Sequence, residues 1–272
     1  MRRAQRADYV LLGEKHDNAD HHRLQAAVIE SLAGERSRPT LAVEMLSEDD
    51  RPKLDAWRKL RPQEVDALGE MLDWDSNGWP PWQIYRPVFA AAVARQLAIE
   101  PANLSRADLG QLRASGIAGL PAERKRKLAL DPALAGGARE SLAQEIRDGH
   151  CGMADDAMVD VMIDAQRVRD ATLADALLRS GVPALLIAGV GHARKDRAVP
   201  IYLARRAPER SVVSIAFLEV GLETPDEIAE LERAFDFVWF TPRVDDLDPC
   251  DRFREQLEKL RPKAPGVQTP PR

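Results

Sequence analysis

The sequence withholds most of the usual quick assignments. It has only two cysteines, Cys151 and Cys250. That is too few for a disulfide framework, and their spacing leaves open whether they pair. No Cys-x-x-Cys occurs, which excludes the common thiolate zinc sites. Aromatic residues make up 5% of the chain, with tyrosine only at Tyr9, Tyr85 and Tyr202. No run of about 18 apolar residues exists, so no transmembrane helix is expected. The basic start MRRAQR is followed by only DYVLL before the first glycine, which is too short for a secretory leader. A cytoplasmic location, or an export segment upstream, is the expectation. There is no basic excess either. The formal net charge is −5, and nucleic acid is not expected as a partner because phosphate neutralisation needs a basic stripe. The one dense basic run, Arg124 to Lys127, reads as a solvated helix face.

What is present points to a packed globular protein. Hydrophobic residues make up 44% and charged residues 31% of 272, enough for a sizeable core and a well-solvated surface. Six apolar runs read as strands: YVLLG, TLAVEM, LAIE, ALLIAGV, VVSIAFLEV and FVWF. The first four lack period-2 alternation, as strands do when helices cover both faces of a sheet. Helical patterns lie between them. One begins after Asn18, a good N-cap, and carries Leu24, Val28 and Leu32 on one stripe. A long one, 154–179, repeats Met158, Met162, Ala165, Leu173 and Ala176. The expected fold class is α/β, with a largely parallel central sheet flanked by helices. Residues 1–261 are expected to form one domain, with a helical insertion or cap over roughly 48–150. The Pro-rich tail, 262–272, reads as disordered.

In an open α/β sheet, ligands bind outside the carboxyl ends of the strands. Four of these strands stop at a polar group of functional type. YVLLG runs into Glu14 and His16, TLAV into Glu44, LAIEPA into Asn103, and ALLIAGV into Gly191 and His192. If the strands are parallel neighbours, these groups converge on one rim. Taken singly, each has a plain structural explanation: Glu44 as a helix cap, Asn103 as a turn former, His21 and His22 as inert helical residues. The coincidence at four strand ends favours a site.

Three further features stand out. Arg169 continues the apolar stripe of the long helix, beside Gln166 and Asp170, where a buried guanidinium needs a partner. It reads as a structural ion pair or as an anion clamp at the rim. The stretch LDWDSNGWPPWQIYRP gathers Trp74, Trp79, Trp82, Tyr85 and Arg86 on what reads as an irregular loop. Those aromatics would cover a flat ligand or staple the loop to the core. Finally, HCGM places His150 beside Cys151 at a helix start. It reads as a soft metal ligand or as an inert buried cysteine.

Together GEKHDNADHHRLQ, LAVEM, GHCGM, AQRVRDATLA and IAGVGHARKD followed by VPIYL resemble the ChaN-like family. These are haem-binding uptake proteins within the wider Tiki/TraB and erythromycin-esterase-like group. The resemblance spans roughly residues 9–220. It implies an α/β fold with a helical portion and a haem cofactor. It also implies a periplasmic or membrane-anchored lipoprotein that forms a homodimer around stacked haems, although no lipid-bearing cysteine is present here. In the family a tyrosine supplies the iron ligand. Tyr9 begins a strand and Tyr202 lies on a helix pattern, so Tyr85 is the expected ligand here.

Two mechanisms follow. In the haem reading, Tyr85 or a rim histidine, His22 or His150, binds iron. Trp79 and Trp82 wall the porphyrin, Arg86 and Arg169 meet its carboxylates, and Asn103 lines the rim. In the hydrolase reading, Glu14, His16, Glu44 and His192 hold a divalent metal that activates water. Without a metal, His16 acts as general base oriented by Glu44, and His192 stabilises developing charge. A scaffold with a vestigial rim is the third option. The motif set favours haem.

Overall fold

The computed structural model describes residues 1–34, 38–221 and 225–252. Six strands form one parallel sheet in the order β3-β2-β4-β1-β5-β6. They are β1 (Tyr9–Glu14), β2 (Thr40–Ser47), β3 (Ile99–Asn103), β4 (Ala184–Gly189), β5 (Val212–Glu219) and β6 (Phe237–Thr241). Each of the six apolar runs contributes to one of them. Helices α1 (Ala19–Leu32), α2 (Arg51–Leu60), α3 (Val65–Met71), α4 (Trp82–Ala94), α5 (Arg106–Ser115) and α6 (Ala122–Lys127) occupy the first half. Helices α7 (Gly136–Gly149), α8 (Asp156–Ser180), α9 (Val190–Ala193), α10 (Val199–Arg206), α11 (Pro225–Ala234) and α12 (Pro249–Arg252) follow. Among the described residues, no helix is long and apolar enough to cross a membrane.

The absent alternation of the inner strands has its expected cause. Val10, Leu12, Leu41, Val43, Leu185 and Ile187 face a core layer shared with α1 and α4. Tyr9, Leu11, Ala42, Leu186 and Ala188 face the opposite layer, under α8 and α10. Successive side chains on a strand point to opposite faces, so a strand buried on both sides must be apolar at every position. This parity also sorts the polar strand ends. Glu14 continues the Val10–Leu12 side, toward α1 and α4. Glu44 continues the Ala42 side, toward α8.

The start of α1 is set by Asn18, whose side chain accepts the backbone N–H groups of Asp20 (2.9 Å) and His21 (3.3 Å). This satisfies the Asp20 N–H, one of the donors a helix start leaves without an intrahelical partner. Gly13 permits a close crossing. A Cβ there would stand 2.8 Å from Ala193 Cβ and 2.9 Å from Val190 Cα, so α9 packs directly on β1.

Two sequence expectations change. The aromatic stretch is a loop only as far as Pro81. From Trp82 it is helical, with Pro87 inside α4, where it removes one intrahelical N–H donor. Tyr85 and Arg86 therefore sit on a helix. Within the 48–150 stretch the LAIE run forms β3, which joins the sheet beside β2. Cys151 is not a free thiol, because it forms a disulfide with Cys250. The inert and metal-ligand readings of that thiol both give way to a covalent crosslink. The tail 262–272 lies outside the described residues.

Candidate functional site

The carboxyl ends of β1, β2 and β4 carry two hydrogen-bonded clusters, one on each face of the sheet. The first is built on Glu14, which is fully buried. Its Oε1 lies 2.9 Å from His16 Nδ1 and accepts a hydrogen bond from the Tyr85 hydroxyl at 3.0 Å. A carboxylate only accepts, so His16 Nδ1 carries the hydrogen, and in the neutral ring the lone pair lies on Nε2. That nitrogen makes no hydrogen bond to the described residues, and the His16 side chain is 34% exposed. Burial opposes a charge on His16, but the bond to Glu14 and the field of Glu44 offset it and raise its pKa.

Behind Glu14 lies His22, from the first turns of α1. Its Nδ1 donates to Gln25 Oε1 at 3.0 Å, and Gln25 in turn donates to the Leu12 carbonyl at 3.0 Å. His22 Nε2 donates to the His16 carbonyl at 3.0 Å and lies 2.9 Å from Glu14 Oε2. The hydrogen is directed at the carbonyl, so the second contact is charge attraction, and Glu14 Oε2 keeps no directed donor of its own. Both His22 nitrogens face acceptors, which makes this ring an imidazolium neutralising Glu14. Burial opposes that charge, but the attraction of Glu14 raises the His22 pKa overall. Glu14 shows the complementary balance: burial raises it, the two histidines outweigh burial, and its pKa is lowered.

The second cluster is Glu44, His192 and Asp170. Glu44 Oε1 lies 3.2 Å from His192 Nε2, and Asp170 Oδ1 lies 2.6 Å from His192 Nδ1. Glu44 Oε2 accepts the Gly189 N–H at 2.8 Å. With a carboxylate on each nitrogen, His192 is doubly protonated. Burial pulls its pKa down, but Glu44 and Asp170 bring it up to about 10. Burial would raise Glu44, yet the His192 charge holds it well below the usual carboxylate range. For Asp170 burial outweighs His192, and its pKa is raised. Gln166 Nε2 approaches His192 Nδ1 at 3.1 Å, and Arg169 donates weakly to Gln166 at 3.5 Å. Arg169 Nε has no hydrogen-bond partner among the described residues.

Gly189 joins the two clusters. A Cβ there would stand 3.1 Å from His16 Nε2 and 3.7 Å from Glu44 Oε2. Because no side chain intervenes, the His16 ring leans over the sheet end into the field of the opposite cluster. Beside Glu44 is a crevice of about 460 Å³ lined by Glu44, Met45, Trp79, Asn103, Leu104 and Leu109, among others. The Trp79 ring meets His16 edge-on at 5.0 Å. Asn103 donates to the Glu44 carbonyl at 2.9 Å and accepts from Leu104 N, so it is both a rim residue and the turn former.

Other expected site residues lie elsewhere. Tyr85 is fully buried, and its hydroxyl is spent on Glu14 and lies 3.1 Å from His16 Nδ1. Burial and the Glu14 charge push its pKa up, away from the phenolate. Arg86 forms a bidentate pair with Asp66, at 2.7 and 2.9 Å, which also takes the Trp82 indole N–H at 3.2 Å. Trp82 itself is core, packed on Trp74 and Phe89. His150 caps α7 by donating to the Ile146 carbonyl at 2.7 Å. Of the α1 histidines, neither faces water: His21 and His22 are both fully buried. His21 takes a hydrogen bond from Lys15 N and lies 2.8 Å from Thr241 Oγ1, and burial lowers its pKa to about 4.

The quartet Glu14, His16, Glu44 and His192 is thus divided between two faces, each carboxylate matched to an imidazole. His16 takes its orientation from Glu14 and not from Glu44. Among the described residues, no group of three His, Cys, Asp or Glu side chains is arranged to hold a metal ion. The sequence reading missed Gln25. Gln25 was legible as the residue three after His22, on the same helix face.

Comparison with known proteins follows the same lines. The chain superposes on a structure described as cofacial haem binding to ChaN of Campylobacter jejuni. The TM-score is 0.67 at 21% identity, over 82% of this chain and 85% of that one. Weaker likenesses include a mutant erythromycin esterase, EreC, in its open conformation. There the TM-score is 0.44 at 16% identity, over 81% of this chain and 72% of that one. The type III effector HopBA1 is also similar, with a TM-score of 0.42 at 14% identity, over 88% and 89% of the two chains. No curated protein matches the sequence. The family model described as haem-binding uptake, Tiki superfamily, ChaN matches residues 1–203, and the chain therefore belongs to the ChaN haem-binding family.

Proposed function

We propose that this protein binds haem at the carboxyl rim of β1, β4 and β2, with His16 Nε2 as the iron donor. The observation that carries this reading is the Glu14–His16 pair. A carboxylate behind an imidazole fixes the tautomer and raises the basicity of the outer nitrogen, as it does at metal-bound histidines. Here the side chain is 34% exposed, and that nitrogen makes no hydrogen bond to the described residues. When bound, haem would supply an iron centre that His16 could hold through its nitrogen donor. The chain contributes the rest: Trp79 an apolar edge, Lys15 and Arg169 cations near the rim, and Tyr85 a buried donor that anchors Glu14. Tyr85 is a positioning residue in this reading, and Arg86 takes no part.

A role in haem uptake outside the cytoplasm belongs to the same proposal. The Cys151–Cys250 disulfide supports it, since such bonds persist in oxidising compartments. A haem-linked homodimer, as the family resemblance implies, is expected to show as a doubled mass on loading. The metal-dependent hydrolase is not favoured, because among the described residues no group of three His, Cys, Asp or Glu side chains is arranged to hold a metal ion.

The test is a haemin titration followed by absorption and light scattering, beside elemental analysis of the untreated protein. A saturable Soret shift supports the reading, and no shift at any concentration refutes it. Gly189→Ala gives a sharper check. Its Cβ would stand 3.1 Å from His16 Nε2, and the ring is held from behind by Glu14. Overpacking of this kind costs about 1–3 kcal/mol. Haem affinity should fall about tenfold or more while the unfolding midpoint in urea moves only modestly. Unchanged affinity would mean that Nε2 is not the donor.

A further inference from the structure

The Cys151–Cys250 disulfide has no part in the iron site, yet it ends on the rim. After β6 the chain turns back as a strap, residues 242–250, whose first residues are docked on the GEKHDN segment. Asn18 Nδ2 donates to Pro242 O at 3.1 Å and to Glu219 Oε1 at 2.9 Å. Val244 N donates to the same Glu219 Oε1 at 2.9 Å, and Lys15 Nζ pairs with Glu219 Oε2 at 2.8 Å. The strap therefore lies beside the residues on either side of His16. Its far end is bonded to Cys151, in the turn between α7 and α8. Helix α7 borders the other side of the rim. Glu145 Oε1 lies 3.1 Å from where a Cβ on Gly191 would stand, and Glu145 also pairs with Arg197. The crosslink thus ties the His192 side of the rim to the His16 side.

Little apolar burial holds the strap in place. Val244 is 43% exposed and Leu247 60% exposed. The backbone N–H groups of Leu247 and Cys250 bond locally, to Asp245 Oδ1 at 3.0 Å and Asp248 Oδ1 at 2.7 Å. The disulfide is therefore the strongest tether at that end, and both of its cysteines are half-buried, within reach of a small thiol.

We propose that Cys151–Cys250 is a redox latch that holds the strap against the rim and slows release of the bound ligand. The proposal rests on the haem reading for the identity of that ligand. A dithiol opens the latch. Its thiolate attacks one sulfur and breaks the protein S–S bond, and its second thiol resolves the mixed disulfide. The dithiol ends as a disulfide, and Cys151 and Cys250 each end as a thiol, carrying the two electrons and two protons.

The test compares the oxidised protein, the protein reduced with dithiothreitol, and the variant Cys151→Ser/Cys250→Ser, with circular dichroism confirming that all three are folded. Two rates are read well below the unfolding temperature: tryptic cleavage after Arg243 in the strap, and transfer of haem to apomyoglobin. The expected result is faster cleavage and haem release about five- to tenfold faster in both open forms, the lower range of site-to-site couplings. Cleavage that does not respond to reduction overturns the latch. So does faster cleavage with unchanged haem release, which would leave the disulfide a plain staple. If no form binds haem, the haem reading fails and the release rate with it, and cleavage alone then decides whether the strap is latched.

Discussion

His16→Ala should abolish the Soret shift, or weaken haem binding by more than about 100-fold, the upper range for losing even an outer partner of a metal-bound histidine. Tyr85→Phe should leave the position of the Soret band unchanged. The reason is geometric. Tyr85 is fully buried and donates to Glu14, so its loss removes a hydrogen bond to a charged group. That costs about 1.5–3 kcal/mol of stability. Glu14→Gln should fall between the two. It frees the ring to turn and removes the charge behind it, for a loss of about 10–100-fold in affinity. The three variants are read together by haemin titration and urea denaturation. A Soret shift that survives His16→Ala but disappears in Tyr85→Phe would return the donor role to Tyr85 and sink this assignment.

The largest stability effect is expected at His192. Removing it, as in His192→Leu, leaves Glu44 and Asp170 as buried carboxylates without their shared counter-charge. Breaking a buried pair in this way costs about 3–5 kcal/mol. The wild-type protein should also show a characteristic alkaline limb. The folded pKa of His192 is raised from 6.5 to about 10. Such a group binds its proton more tightly when folded, so its contribution is complete below pH 6.5. It is lost progressively as pH rises toward 10. The buried carboxylates Glu14 and Glu44 act with the opposite sign. Their folded pKa values are lowered, so their contribution is present at neutral pH and lost as pH falls through the acid range. Asp170 opposes them, because burial raises its pKa. Urea midpoints measured between pH 6 and 10.5 check the alkaline limb. A wild-type slope in that window that persists in His192→Leu would assign the titration to another group.

Much of this protein is legible in its sequence. The unbroken apolar runs are read correctly as strands covered on both faces, and their parallel arrangement follows from the helices between them. Asn18 marks the start of α1 by its chemistry alone. The placing of polar groups at four strand ends follows from the same runs. The ordered motifs were enough to identify the family.

Tertiary structure decided the rest. The parity that puts Glu14 and Glu44 on opposite faces is hidden in the sequence, because a strand buried on both sides shows no alternation to count. The burial of Tyr85 is equally hidden. Its helix begins only at Trp82, and whether the face carrying Tyr85 looks at ligand or at Glu14 depends on how α4 packs against α1 and β1. The pairing of Cys151 with Cys250 spans 99 residues, so no local rule could propose it. Local propensity and hydrophobic pattern act over a few neighbouring residues and fix the elements. Partners drawn from distant elements are fixed only when those elements dock, and that docking left His16 as the rim histidine with an open ring nitrogen.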